Sequence, residues 1–173
     1  WVMEDGVLYA EGHGTIWTNE EYEDFILDLE FRVEPGANSG IFFRTKDKNS
    51  VLSALEVQVH DSTDGTKHGE CGAIYDLISP STDATRPAGE WQHFTVTANE
   101  NMIYVVLNGT QIIDMNINNW DTANQNPDGT RNKFDRPIAE QTYGGPIGFQ
   151  GIHGSAGAKV DFRNLKIKRI GSD

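Results

Sequence analysis

Cysteine is almost absent from this chain of 173 residues: Cys71 stands alone. One thiol can close no internal disulfide, and there is no Cys-X-X-Cys pair for a redox or zinc site. A lone cysteine is expected to pack as a small buried hydrophobe. Cations are scarce too, with 14 Lys and Arg against 26 Asp and Glu for a formal net charge of −12. A nucleic-acid binder must neutralise phosphates, so that class is excluded, and an anionic membrane surface is disfavoured for the same reason. No run of about 20 apolar residues exists to span a bilayer. Gly-X-Ser-X-Gly and P-loop motifs are missing, and no segment carries the spacing of an amphipathic helix. The chain opens on Trp1 rather than Met, as expected of a processed or trimmed product. Neutral ligands remain open.

What is present is period-two alternation, the pattern of a half-buried strand. Phe25, Leu27, Leu29, Phe31 and Val33 alternate with Asp28, Glu30 and Arg32 over residues 22–34. Further strands are expected at Ile41–Arg44, 55–60, 73–75, 91–98, 102–107, 111–115, 145–150 and 159–170. Pro35-Gly36 ends the first of these, and Asn108-Gly109 is a strong hairpin signal because both residues tolerate positive φ. With 18 glycines and turn chemistry between these short strands, the expected fold is all-β. It is a jelly-roll β-sandwich of two antiparallel sheets, forming one domain over 1–173. Residues 116–142 are the exception, a long polar loop with Trp120 and Phe134 embedded. Loops of that length are commonly functional, so it is expected to form a flap beside a ligand site.

The string Leu55-Glu56-Val57-Gln58-Val59-His60-Asp61 directs Leu55, Val57 and Val59 to one face and Glu56, Gln58 and His60 to the other. Three polar groups in a row, each step about 6–7 Å, could read the hydroxyls of a sugar ring. Arg44, following Phe42 on its strand, is expected on that same face, where a guanidinium suits vicinal oxygens. Gln150 alternates with Ile147 and Phe149 and should also face the ligand, with Gly148 leaving floor space. His153 lies among glycines, where backbone can approach a ligand closely. Glu56 and His60 are about 13 Å apart along the strand and cannot share an ion. A divalent cation such as Zn²⁺ or Mn²⁺ would need His60 with His153, or with Asp61 or Glu70. The acidic and amide residues at 121–128 do not have the spacing of an EF-hand. A two-carboxylate glycosidase would need a partner for Glu56, and no second carboxylate stands out.

Several motifs in order resemble the 3-keto-disaccharide hydrolase domain family, formerly a domain of unknown function. They are Asn38-Ser39-Gly40-Ile41-Phe42-Phe43-Arg44, Glu56-Val57-Gln58, Asp61, Gly72-Ala73-Ile74-Tyr75, Gly89-Glu90-Trp91 and Leu107-Asn108-Gly109. Gly145-Pro146-Ile147-Gly148-Phe149-Gln150, His153-Gly154 and Phe162-Arg163-Asn164 continue the match to nearly the end of the chain. The resemblance implies a concanavalin A-like jelly roll with the ligand on its concave sheet. It also implies bacterial export, to the periplasm or outside the cell, as a lipoprotein or part of a longer chain. The implied activity is cleavage of glycosides already oxidised at C3. His60 departs from the pattern, since many relatives carry an aliphatic residue there. Within that chemistry His60, His153 and Glu56 are the catalytic candidates. Arg44 would hold the keto oxygen, Glu56 and Gln58 would orient the ring, and Tyr75, Trp120 and Gln150 would make further contacts. The alternatives are a non-catalytic, lectin-like carbohydrate module stacking sugars on Trp17, Trp120 or Tyr143, and an interaction domain without sugar specificity.

Overall fold

The computed structural model describes residues 1–45, 47–50, 53–61, 69–154 and 158–171. Among these residues twelve strands form two antiparallel sheets. In chain order they are β1 (Val2–Glu4), β2 (Val7–Tyr9), β3 (Ile16–Tyr22), β4 (Phe25–Val33), β5 (Ala37–Phe43) and β6 (Leu55–His60). Then come β7 (Gln92–Asn99), β8 (Met102–Leu107), β9 (Thr110–Asn116), β10 (Gly145–Phe149), β11 (His153–Gly154) and β12 (Val160–Arg169). The larger sheet runs β1-β2-β12-β4-β7-β8-β9; the smaller runs β11-β5-β10-β3, with β6 on the opposite edge of β5. This is the jelly-roll sandwich the alternation implied. Helix among the described residues is limited to short 3₁₀ turns, including Ile117–Asn119 and Ile138–Glu140. No described helix is long and apolar enough to cross a membrane.

The two sheets meet across the alternating residues. On β4, Phe25, Leu27, Leu29, Phe31 and Val33 are buried while Ile26, Asp28, Glu30 and Arg32 are half-buried. β7 matches it, with Leu27 opposite Val96 and Leu29 opposite Phe94. The intervening side chains build an outer polar ladder, including Asp28 with His93 at 2.8 Å and Arg32 with Asp161 at 2.6 Å. Arg163 bridges Glu30, and its guanidinium lies 3.9 Å from the Trp91 ring centre. Asn108 and Gly109 both take positive φ, 51° and 85°, which is the hairpin geometry expected between β8 and β9. Cys71 is buried, and burial pushes its thiol up to about 12, consistent with an inert packing role.

Three differences from the sequence reading have local causes. The expected strand at 73–75 is reduced to bridges from Ile74 to Val57 and to Ile78. The segment still hydrogen-bonds to the free edge of β6: Gln58 N–H donates to Ala73 O and Tyr75 N–H to Glu56 O. Strands β1, β2, β3 and β11 lacked the alternation that marked the others, being short or lying at sheet edges. The 116–142 loop, finally, is folded rather than structureless. Trp120, Phe134 and Ile138 enter the hydrophobic core, and Gln125 bridges Arg131.

Candidate active site

Pairing between β5 and β6 sets which side chains share a face. Ile41 opposes Val57 and Phe43 opposes Leu55, all facing the core. Phe42 opposes Glu56, Gly40 opposes Gln58 and Asn38 opposes His60, all on the outer face. β10 and β11 extend these rows, since Gly148 opposes Phe42 and His153 opposes Asn38. Gln150 continues the alternation, its N–H donating to Gly40 O. Glu56, Gln58, His60, Gln150 and His153 therefore do gather on one sheet face, as expected from sequence.

Each of them has a distinct setting. The Gln58 amide is buried and donates to Asn38 Oδ1 at 3.1 Å. Gln150 Oε1 is buried and accepts no hydrogen bond among the described residues. His60 is half-buried, its Nδ1 3.8 Å from Asp61 Oδ1, whereas His153 is exposed. His60 and His153 flank Asn38 on its two neighbouring strands, their Cα atoms about 10 Å apart by the sheet spacing. No three His, Cys, Asp or Glu side chains gather closely enough for a metal ion among the described residues. At the other end of the face the Trp17 ring covers Gly148, where a Cβ would sit 2.6 Å from the indole, and stacks on Phe42 at 5.9 Å.

Glu56 is the most perturbed group of the face. Its side chain is 9% exposed, and its carboxyl leans along the strand over Gly40, where any Cβ would overlap Oε1. Burial raises its pKa from 4.5 to about 7, against the opposing pull of Lys133. Lys133 Nζ lies 3.9 Å from Glu56 Oε2. Its own pKa is lowered by burial, with Glu56 and Asp76 pulling the other way. The ammonium sits 5.0 Å from the Tyr75 ring centre and 5.2 Å from that of Phe134. Tyr75 is 39% exposed and offers a ring face beside this pair.

Lys133 escaped the sequence reading. It comes from the 116–142 loop, which sets a cation rather than Trp120 beside Glu56. The only hints in sequence were Arg131, Lys133 and Arg136, three cations in an otherwise neutral-polar and acidic stretch. The loop is pinned by buried Asn126, whose Oδ1 accepts from Trp120 Nε1 at 2.9 Å and from Asn132 Nδ2 at 3.1 Å. Its Nδ2 donates to Asp76 O at 3.1 Å. Asp76 Oδ2 in turn accepts the Lys133 N–H at 2.6 Å. Thus the 73–76 segment, zipped to β6, sets Tyr75 beside Glu56 and fixes the backbone of Lys133. Lys133 also lines a cavity of about 730 Å³, with Thr45, Asp47 and Ser53 on one side and Arg136 and Gln141 on the other.

Two expected contacts lie elsewhere. Arg44 takes positive φ, 53°, just after β5, which breaks the alternation that would have set it beside Glu56. Its side chain is 1% exposed and stacks on Tyr143 at 4.5 Å, with Nη2 donating to Glu100 O at 2.6 Å. Trp120 is 5% exposed, a core residue rather than a stacking platform.

The profile of the 3-keto-alpha-glucoside-1,2-lyase-like domain matches residues 1–168. The chain belongs to that family. Among relatives of the 3-keto-alpha-glucoside-1,2-lyase-like domain, a "3-keto-disaccharide hydrolase" of Bacteroides thetaiotaomicron is 26% identical over 97% of this chain and 69% of its own. A solved protein of Parabacteroides distasonis, provisionally named a glycosyl hydrolase, is 34% identical with a TM-score of 0.92, covering 98% of this chain and 90% of that one. The exoplasmic/lumenal domain of VIP36, in a Ca²⁺/Man-bound form, shares the fold alone, at 11% identity and a TM-score of 0.60 over 99% of this chain and 81% of its own.

Proposed function

We propose that this protein cleaves glycosides carrying a ketone at C3, by elimination across C1–C2 followed by hydration, on the outer face of the smaller sheet. The observation that carries the reading is Glu56, a shielded carboxyl on the ligand-facing side whose pKa stands at about 7. A ketone at C3 acidifies the hydrogen on C2, because the charge spreads onto oxygen as an enolate. A general base works best when its pKa is near the working pH, and Glu56 meets that condition while an ordinary surface glutamate does not. Glu56 takes the C2 proton, the enolate re-forms the ketone and expels the C1 substituent, and water adds at C1. The net change is hydrolysis, which accommodates both the lyase-like family description and the hydrolase name of the relative.

The other residues take supporting parts in this reading. Gln58 and the unengaged Gln150 Oε1 orient ring hydroxyls. Tyr75 supplies an apolar face to the sugar, and the cavity beside Lys133 receives the leaving sugar. His60 or His153 returns a proton to the departing oxygen or to the incoming water. A divalent cation between these imidazoles would add Lewis acidity, and a chelator tests for it.

The deciding assay incubates the protein with plain and 3-keto glucosides, with and without chelator, and follows products by mass spectrometry. Cleavage of the 3-keto compound alone is expected, with a rate that rises with pH through about 7 as Glu56 ionises. Glu56→Gln should lower kcat by about 10²–10⁴-fold. Equal cleavage of the plain glucoside, or full activity in that variant, would refute the reading. The exposed Tyr75 ring favours one alternative, a lectin-like module that binds unmodified glycan and releases nothing.

A further inference from the structure

We propose that Lys133 is a catalytic residue: its ammonium pairs with Glu56 in the resting protein and stabilises the enolate oxygen once Glu56 has taken the C2 proton. This inference rests on the elimination reading above and assigns the group which that chemistry still needs. An oxyanion developing at C3 requires a cation or strong donor in reach. Arg44, the sequence candidate for that task, is buried against Tyr143 and Glu100 instead.

The charge accounting favours Lys133. Before reaction the carboxylate and ammonium form a neutral pair. In the proton transfer the C2–H bond breaks and its electron pair becomes the C2–C3 π bond. The carbonyl π pair moves onto the C3 oxygen, and the proton goes to a Glu56 oxygen. One negative charge thus moves from the carboxylate to the substrate, while the total of the site is unchanged. A shielded site opposes uncompensated charge, so a cation able to face both anions keeps the transfer from creating an isolated one. The geometry allows this. At 3.9 Å the Glu56–Lys133 separation is longer than a tight charge-assisted hydrogen bond, so the carboxylate does not clamp the ammonium. An ammonium has three donors, which leaves some for a second oxygen. The Tyr75 and Phe134 rings at 5.0 and 5.2 Å favour its charged form. Its backbone is fixed by Asp76, so the head group swings from an anchored stem. The charged or titratable groups acting on it are Glu56 and Asp76, with Tyr75 alongside.

The test compares wild type with Lys133→Gln, Lys133→Met and Lys133→Arg, each first checked for an intact unfolding transition. Two reactions are followed: cleavage of a 3-keto glucoside, and exchange of the C2 hydrogen in D₂O by NMR on 1,5-anhydro-3-keto-glucitol, which has no exocyclic leaving group at C1. Lys133→Gln and Lys133→Met should lose about 10²–10³-fold in kcat and slow exchange in parallel, with KM nearly unchanged. The acidic limb of kcat/KM should move to higher pH, because Glu56 loses the cation that lowers its pKa. Lys133→Arg should recover at least about tenfold, since it keeps the charge. Wild-type kcat and exchange in Lys133→Gln, or a change confined to KM, would overturn the role. So would a borohydride-trapped adduct on Lys133 combined with an inactive Lys133→Arg, which would indicate an iminium instead. Failure of the elimination reading itself looks different: wild type would then neither exchange C2 nor cleave.

Discussion

Replacing Glu56 with Gln should stabilise the protein at neutral pH while removing its activity. The carboxyl titrates at 4.5 when unfolded and at about 7 in the folded protein. Below about pH 4.5 it is neutral in both states and imposes no penalty. Between 4.5 and 7 the unfolded chain releases its proton while the folded protein keeps it, so stability falls as pH rises. Above 7 the loss is complete. Each pKa unit corresponds to 1.36 kcal/mol, so the interval amounts to about 3 kcal/mol. Gln has nearly the same shape and no charge, so its curve lacks that decline. The attraction to Lys133 is already contained in the folded pKa of about 7, so losing that 3.9 Å partner does not cancel the gain. The informative quantity is therefore the difference in slope. Urea unfolding of both proteins at half-unit steps from pH 4.5 to 8 measures it. Curves that stay parallel across that range would show that burial does not perturb Glu56, and the case for it as a base near neutrality would fall with them.

Three further outcomes are expected. Gly40→Ala puts a methyl where the Glu56 carboxyl lies, so kcat on a 3-keto glucoside should drop about 10²-fold through misplacement while circular dichroism stays unchanged. Asn126→Ala strips the buried acceptor from Trp120 and Asn132, and should cost about 3 kcal/mol in urea unfolding and speed tryptic cutting after Arg131, Lys133 and Arg136. His153→Ala, at an exposed position where water can replace the imidazole, should lower kcat only about tenfold, far less than Glu56→Gln; an equal loss would make His153 the primary base.

Much of this protein could be read from residue order alone, because a strand's side chains must alternate between faces. Phe25 to Val33 announced an inner and an outer face, and Leu55 to His60 announced which groups would look outward. The Asn108-Gly109 turn followed from the rarity of positive φ at other residues. Gln58, Glu56 and His60 were legible as one row for the same reason.

What strand alternation could not convey was decided by contacts between distant segments. Arg44 left its expected face because one backbone angle turned positive just beyond β5, and period-two logic ends where the strand does. Trp120 went to the core because Asn126 offered its indole N–H a buried acceptor. The Glu56–Lys133 pair exists only because the segment zipped to β6 catches the Lys133 backbone through Asp76. A carboxyl's pKa depends on how much water reaches it, and which loop excludes that water is a property of the folded chain, not of its neighbours in sequence.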